Sequence, residues 1–286
     1  MSHEYVGLIG MGLLGTALAE RMRAAGLDVL GFDLDPARGE WLRQSGGRVA
    51  ASAVEVAAAC RRIVLSLPDG DVAAAVIGQI RPSLKAGTLL VDTTTGDPDT
   101  TAALAKSLLA GGVAYVDATI VGSSEHARAG NAQVLAGGRD EDLSAARPLL
   151  ECWGREVVHV GPAGSGARMK LVANLVMGLN RAALAEGLTL ARSLGLDAEQ
   201  ALAVLRGGLA YSRVMDTKGR KMIDEDFAPR ARLSQHLKDV RLMLAAARRT
   251  GTTLPLSQVH EQLLETAQRR GYGQADNSAV IKALDS

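Results

Sequence analysis

The chain has 286 residues, 47% hydrophobic and 22% charged, with 32 Lys and Arg against 31 Asp and Glu. This is the composition of a soluble globular protein with apolar material for a sizeable core, and the length favours two domains. No apolar run reaches the ~18 residues that span a bilayer, the opening MSHEYVGLIG lacks the parts of a signal peptide, and a near-neutral balance argues against nucleic acid as the main partner, so a cytoplasmic protein is expected.

Up to about residue 160, short apolar or β-branched runs alternate with alanine-rich helical stretches. The expected strands are 5–9, 28–32, 61–67, 88–91, 114–117, 133–136 and 156–160, with crossover helices between them. Such alternation predicts an α/β domain, a doubly wound, mostly parallel sheet covered on both faces. Cys60 and Cys152 lie far apart with no histidine neighbours, so they suggest neither a disulfide framework nor a metal site. The turn-rich Gly161-Pro162-Ala163-Gly164 ends this half, dividing the chain into domains 1–161 and 162–286.

The second half reads as all-α. Apolar residues at helical spacing (Leu171, Val172, Leu175, Val176, Leu179, Ala182, Ala183) predict one unusually long helix over 165–194. Further helices are expected at 197–205, 212–222, 233–250 and 254–270, with a short one after Ala275. The charge is divided unevenly: residues 1–161 hold 14 basic against 19 acidic side chains, and residues 162–286 hold 18 against 12. A basic second half suits a small anionic ligand, although exposed helical charge accounts for it equally well.

The first chemical signal is Gly10-Met11-Gly12-Leu13-Leu14-Gly15, directly after the first strand and before a helical run at 16–25. Gly10 permits the tight turn, Gly12 lets a pyrophosphate approach the backbone, Gly15 lets helix pack on strand, and the helix N-terminus faces the phosphates. A plain glycine turn is the bland alternative. Against it, the second strand ends at Asp33, about 20 residues on, where a carboxylate can accept both ribose hydroxyls and repel a 2′-phosphate. The pattern predicts a Rossmann-type dinucleotide domain preferring NAD to NADP. Arg38 could reach a 2′-phosphate, but a surface ion pair is its commoner use.

Doubly wound sheets bind ligands at the carboxyl ends of their strands, and four stretches qualify. Ser66-Leu67-Pro68 stands at the end of the third expected strand. In the stretch from Asp92 to Pro98, Thr94 and Thr95 can reach the cofactor, with helix capping as the structural alternative. The stretch from Asp117 through Val121, Gly122, Ser123 and Ser124 could present N–H groups and hydroxyls to a carboxylate, or be a strand and a serine turn. From Gly164 and Gly166, the fourth runs to Lys170 and Asn174, which share a helix face with Met177, Gly178 and Arg181. A lone lysine on a polar helix face is more often solvated than catalytic.

Taken in order, these motifs resemble the β-hydroxyacid dehydrogenase family, which includes 3-hydroxyisobutyrate dehydrogenase and tartronate semialdehyde reductase. The glycine fingerprint, the stretch from Asp92 to Pro98, the stretch from Gly164 to Asn174 and the late Lys238-Asp239 pair all match, across nearly the whole chain. The resemblance implies an NAD-dependent oxidoreductase acting on a small anionic hydroxy acid or its semialdehyde, in a cleft between the domains. Lys170 would be the general acid/base, and Asn174 would hydrogen-bond the reacting oxygen or orient the lysine. Lys238 would lie against the cofactor, Asp239 would be structural, and backbone groups at Gly122 and Ser123 would hold the carboxylate. As a base Lys170 must be neutral, which burial and nearby positive charge favour. The resemblance also implies a homodimer or homotetramer.

Some positions depart from the family pattern. Val121 stands where a serine usually meets the substrate carboxylate, leaving Ser123 or Ser124 to substitute, or a different substrate. Thr94 replaces serine, Ala173 the first of two asparagines, and Leu14 and Arg21 a methionine and an asparagine. An imine reductase on the same fold and a non-catalytic NAD-binding protein are the alternatives; Lys170 speaks against the first, and Lys170, Asn174 and Lys238 together against the second.

Overall fold

The computed structural model describes residues 4–285. The chain forms two compact units, one ending at Lys170 and the other starting at Leu171. The division falls inside a helix.

In the first unit, β1 (Val6–Ile9), β2 (Val29–Phe32), β3 (Arg48–Val49), β4 (Arg62–Leu65), β5 (Leu89–Asp92), β6 (Ala114–Val121), β7 (Ala132–Gly137) and β8 (Gly154–Gly161) form one sheet in the order β3-β2-β1-β4-β5-β6-β7-β8. All neighbours are parallel except β6 and β7. The order reverses direction at β1 and β4, the point where doubly wound sheets open a crevice for ligands. Helices α1 (Leu13–Ala24), α2 (Pro36–Gln44), α3 (Ala53–Ala59), α4 (Gly70–Ile80), α5 (Pro98–Leu109), α6 (Ser124–Arg128) and α7 (Asp140–Trp153) lie between the strands.

Alternation along the strands explains why both faces are packed. Val6, Leu8, Val64, Leu89, Val91, Val116 and Ala118 point into one core cluster, with Leu18, Met22 and Trp153. Ile9, Ile63, Leu65, Leu90 and Tyr115 point into the other, with Val56, Ile77 and Ile80. The same alternation turns Asp117 and Thr119 to the face of Tyr115.

Three differences from the sequence-based expectation have one origin. The two-residue β3 was not expected, since so short a strand exists only through its pairing with β2. Strand β6 continues to Val121 instead of stopping at 117, because β7 doubles back against it in the register Asp117↔Gly137 to Val121↔Gln133. The short α6 follows at once. Pairing between distant segments sets these boundaries, and local pattern does not carry it.

The helix α8 (Ser165–Ser193), 29 residues long, starts in the first unit and continues in the second. It is followed by α9 (Ala198–Gly207), α10 (Val214–Ile223), α11 (Leu233–Arg249), α12 (Pro255–Arg269) and a 3-10 segment at Asn277–Ala283. The second core contains Leu184, Leu188, Leu202, Met222, Leu237, Val240, Leu264 and Ile281. Part of the polar face of α8 is buried beside these apolar residues: Lys170, Asn174 and Arg181 are 5–7% exposed, whereas Val172 and Val176 are more than half exposed. Among the described residues, no helix is long and apolar enough to cross a membrane.

Candidate functional site

The glycine fingerprint occupies the turn from β1 to α1, and each glycine has its own constraint. Gly10 has φ +93°, and a Cβ there would fall on the Ser66 carbonyl. A Cβ on Gly15 would fall on the Gly10 carbonyl, so helix and turn touch backbone to backbone. At Gly12 a Cβ would meet nothing within 4 Å. Gly12 also caps α1 without a side-chain bond, so the first N–H groups of the helix face this open space. Met11 is fully buried, while Leu13 and Leu14 are half-buried at the helix start.

Asp33, at the end of β2, is drawn to the same turn. Its Oδ2 accepts the Met11 N–H at 2.5 Å and its Oδ1 the Asp35 N–H at 2.9 Å. Each oxygen keeps acceptor capacity for a ribose hydroxyl. Arg38 lies 3.7 Å from Asp35, in the surface ion pair that is its commoner use. An open glycine turn, a helix N-terminus and a carboxylate at the next strand end fit a dinucleotide.

Beside the turn, the Leu67 N–H donates to Thr94 Oγ1 at 3.2 Å, joining two of the expected cofactor stretches. Thr94 is itself buried, its N–H bonded to Asp92 Oδ1 at 2.8 Å, and Thr93 Oγ1 donates to the Leu65 carbonyl. Pro68 is exposed and Thr95 half-buried. Capping of α5 falls to Asp97, which accepts from Asp99 and Thr100.

Lys170 is held by β6. Its Nζ donates to the Ile120 carbonyl at 2.5 Å, and only 7% of the residue is exposed. The first turn of α8 is fixed to the same strand, for Asp117 accepts the N–H groups of Gly164 and Ala167, both at 2.8 Å, through its two oxygens. Thr119 Oγ1 donates to the Gly166 carbonyl at 3.1 Å. Gly166 is required by this approach, because a Cβ there would come within 2.6 Å of Asp117 Oδ2 and 2.7 Å of the Leu135 carbonyl. Burial pushes the Asp117 carboxyl up to about 7, against the lowering effect of the two N–H groups. Asp117 was legible as a polar residue near the motif, but its anchoring role depends on a contact across 47 residues.

Val121 ends β6, and the chain turns at the exposed Gly122, whose φ is +133°. Ser123 is already engaged: its Oγ lies 2.9 Å from His126 Nδ1, and its N–H donates to that nitrogen at 3.2 Å, closing a capping box on α6. Ser124, half-buried at the first position of α6, is the other serine of the stretch.

In the second unit, Asn174 Nδ2 donates to Asp239 Oδ2 at 2.9 Å, and Lys238 Nζ lies 3.2 Å from Asp239 Oδ1. Asn174 and Asp239 are both 6% exposed, and Lys238 is half-buried. The expected residues Asn174 and Lys238 are therefore joined through Asp239. Around the start of α10, Tyr211 Oη donates to Asp216 at 2.6 Å on the surface, while Lys218 is buried against Asp276 at 2.8 Å.

Residues 5–161 match the family described as the NAD binding domain of 6-phosphogluconate dehydrogenase, and residues 164–284 the family described as NAD-binding of NADP-dependent 3-hydroxyisobutyrate dehydrogenase. Over 284 residues the chain is 32% identical to the 2-(hydroxymethyl)glutarate dehydrogenase of Eubacterium barkeri, covering 98% of this chain and 94% of that protein. It is 30% identical to the 2-hydroxy-3-oxopropionate reductase of Escherichia coli strain K12, covering 98% and 97%. The crystal structure of 3-hydroxyisobutyrate dehydrogenase from Salmonella typhimurium is similar with a TM-score of 0.90 at 26% identity, covering 98% of this chain and 99% of that one.

Proposed function

For a chain that belongs to the β-hydroxyacid dehydrogenase family and is an oxidoreductase of hydroxy-acid CH–OH groups, we propose that Lys170 is the acid/base of hydride exchange between NAD and a small β-hydroxy acid or its semialdehyde. The observation that carries this reading is the buried amine of Lys170, fixed to Ile120 and one helical turn before Asn174. The nicotinamide cofactor supplies the site that donates or accepts the hydride. In the reducing direction the Lys170 ammonium gives a proton to the carbonyl oxygen as it becomes a hydroxyl. In the oxidising direction the neutral amine takes the hydroxyl proton onto Nζ. The Ile120 carbonyl accepts one N–H in either state and so aims the rest of the group.

Asn174 has one amide N–H occupied by Asp239, which leaves its remaining N–H for the reacting oxygen. Lys238, held by the same carboxylate, is assigned to the cofactor. Gly122 and the Ser123-Ser124 segment receive the substrate carboxylate, with Ser124 the better-placed hydroxyl because Ser123 is engaged with His126. Asp33 supports NAD over NADP, since a 2′-phosphate would meet a carboxylate; Gly10, Gly12 and Gly15 hold the pyrophosphate, and Leu67, Pro68, Thr94 and Thr95 face the nicotinamide half. Val172, Val176 and Leu190, exposed along one face of α8, support a homodimer or homotetramer, which light scattering on the purified protein tests.

The decisive experiment is turnover of Lys170→Ala with hydroxy acids such as 3-hydroxyisobutyrate, 3-hydroxypropionate, D-glycerate and 4-hydroxybutyrate. Loss of a general acid/base lowers kcat by about 10²–10⁴-fold while cofactor binding persists. Near wild-type turnover overturns the assignment. Tighter binding of NADP than of NAD by the unmodified protein overturns the role of Asp33.

A further inference from the structure

Thr119 is a polar side chain to which the chemistry above gives no part. It is fully buried on β6, on the strand face that also carries Asp117, and is paired with Leu135 of β7. The single proton of a buried hydroxyl needs an acceptor. Thr119 Oγ1 has two within reach, the Gly166 carbonyl at 3.1 Å and the Leu135 carbonyl at 3.5 Å, and the shorter contact is the one to α8.

The choice of acceptor links Thr119 to Lys170. In an α-helix the carbonyl of residue 166 receives the N–H of residue 170, four places on. One lone pair of the Gly166 oxygen therefore serves the backbone of Lys170, and the other serves the hydroxyl of Thr119. Ile120, the next residue of β6, accepts Lys170 Nζ at 2.5 Å through its own carbonyl. Consecutive residues of one strand thus grip Lys170 at both ends, Thr119 by way of its backbone and Ile120 by its amine. Thr119, Ile120, Gly166 and Lys170 all belong to the first unit, and all are buried, so water does not compete for these bonds. Asp117 already fastens the start of the helix through the N–H groups of Gly164 and Ala167. What the Thr119 bond adds is the spacing between the strand and the carbonyl beneath Lys170.

We propose that Thr119 is a positioning residue for the acid/base: its hydroxyl fixes the level of Lys170 on β6, so that Nζ stays on the Ile120 carbonyl and the rest of the amine keeps one direction. This inference rests on the reading of Lys170 as the acid/base. Without the hydroxyl, Asp117 still holds the first turn of α8, but the Gly166 carbonyl settles away from the strand and the backbone of Lys170 moves with it. A displacement of about 1 Å at a proton-transferring group costs up to about 10²-fold in rate.

The test uses Thr119→Val, which keeps the branched shape and removes the hydroxyl, and Thr119→Ser, which keeps the hydroxyl. Turnover is measured with NAD and 3-hydroxyisobutyrate or 2-(hydroxymethyl)glutarate, whichever the unmodified enzyme oxidises faster. Thr119→Val is expected to lower kcat by about 10-fold with KM and NAD affinity nearly unchanged, and Thr119→Ser to restore most of it. In parallel, trace labelling of amines with acetic anhydride, read by peptide mass spectrometry without cofactor, reports Lys170 against the exposed Lys106 as reference. Labelling at Lys170 is expected to rise several-fold in Thr119→Val and to stay at the unmodified level in Thr119→Ser. If the valine variant does not fold, Thr119→Ala against Thr119→Ser supplies the same comparison.

Unchanged kcat in Thr119→Val overturns the proposal. So does a lowered kcat with unchanged labelling at Lys170, since Thr119 would then act by another route, and so does a loss that Thr119→Ser fails to restore. If Lys170→Ala keeps near wild-type turnover, or neither hydroxy acid is oxidised, the reading of Lys170 as the acid/base fails, while hydroxyl-dependent labelling still upholds the grip of Thr119 on the amine.

Discussion

Asp239 Oδ2 accepts the side-chain N–H of Asn174 at 2.9 Å, across 65 residues of sequence. The amide of Asn174 is therefore oriented by a carboxylate on another helix, and that carboxylate also neighbours Lys238. Asp239→Ala is expected to lower kcat by about 10-fold or more, as loss of supporting contacts does at preorganised sites. Adding Asp239→Ala to Asn174→Ala should cost little further, because the two residues act as one unit. Fully additive losses in a double-mutant cycle would show that they act separately.

Two neighbouring glycines separate folding from cofactor binding. At Gly10, with φ +93° and the Ser66 carbonyl where a Cβ would go, alanine is expected to cost about 1–3 kcal/mol of stability in urea melts. At Gly12 the Cβ position is open, so alanine should leave the urea midpoint unchanged and weaken NAD binding by about 10-fold or more, by filling the approach to the α1 N-terminus. Unchanged NAD affinity in Gly12→Ala would place the pyrophosphate elsewhere.

Asp117 ties α8 to β6 through two N–H groups. Asp117→Ala leaves both without an acceptor, an expected loss of about 1–3 kcal/mol for each buried group, and Asp117→Asn restores one. Burial holds this carboxyl up at about 7, against 3.8 for an ordinary aspartate. Between those values the folded chain binds the extra proton, so the contribution of Asp117 to stability falls as pH rises through the window. Asp117→Asn should remove that downward trend from a pH series of urea midpoints; an unaltered trend would assign it to other groups.

His260 has the opposite slope. Burial, helped by Arg181, holds it down at about 4, against 6.5 for an ordinary histidine. Between these values the unfolded chain binds more protons, so acidification from about 6.5 to about 4 destabilises the protein, by about 3 kcal/mol from this residue. In a plot of urea midpoint against pH, His260→Leu should lose stability less steeply over that interval than the unmodified chain. Parallel curves would mean that His260 charges freely in the folded state.

Much of the architecture could be read from residue order, because it rests on short-range regularities. Alternating apolar runs marked the central strands, helical spacing marked α8 to within a residue of its end, and the Gly10-Gly12-Gly15 turn with Asp33 followed from spacing alone. Contacts between distant segments carried what residue order did not. Strand β6 reaches Val121 only because β7 pairs back on it, and β3 is a strand only through β2. Asp117 and Asp239 have the chemistry of ordinary polar residues until packing places two N–H groups and an amide against them. On α8, periodicity separates a polar face from an apolar one but cannot say which is covered. Packing buried Lys170, Asn174 and Arg181 together with Leu171, Leu184 and Leu188, and burial turns a solvated lysine, asparagine and arginine into groups that must find specific partners.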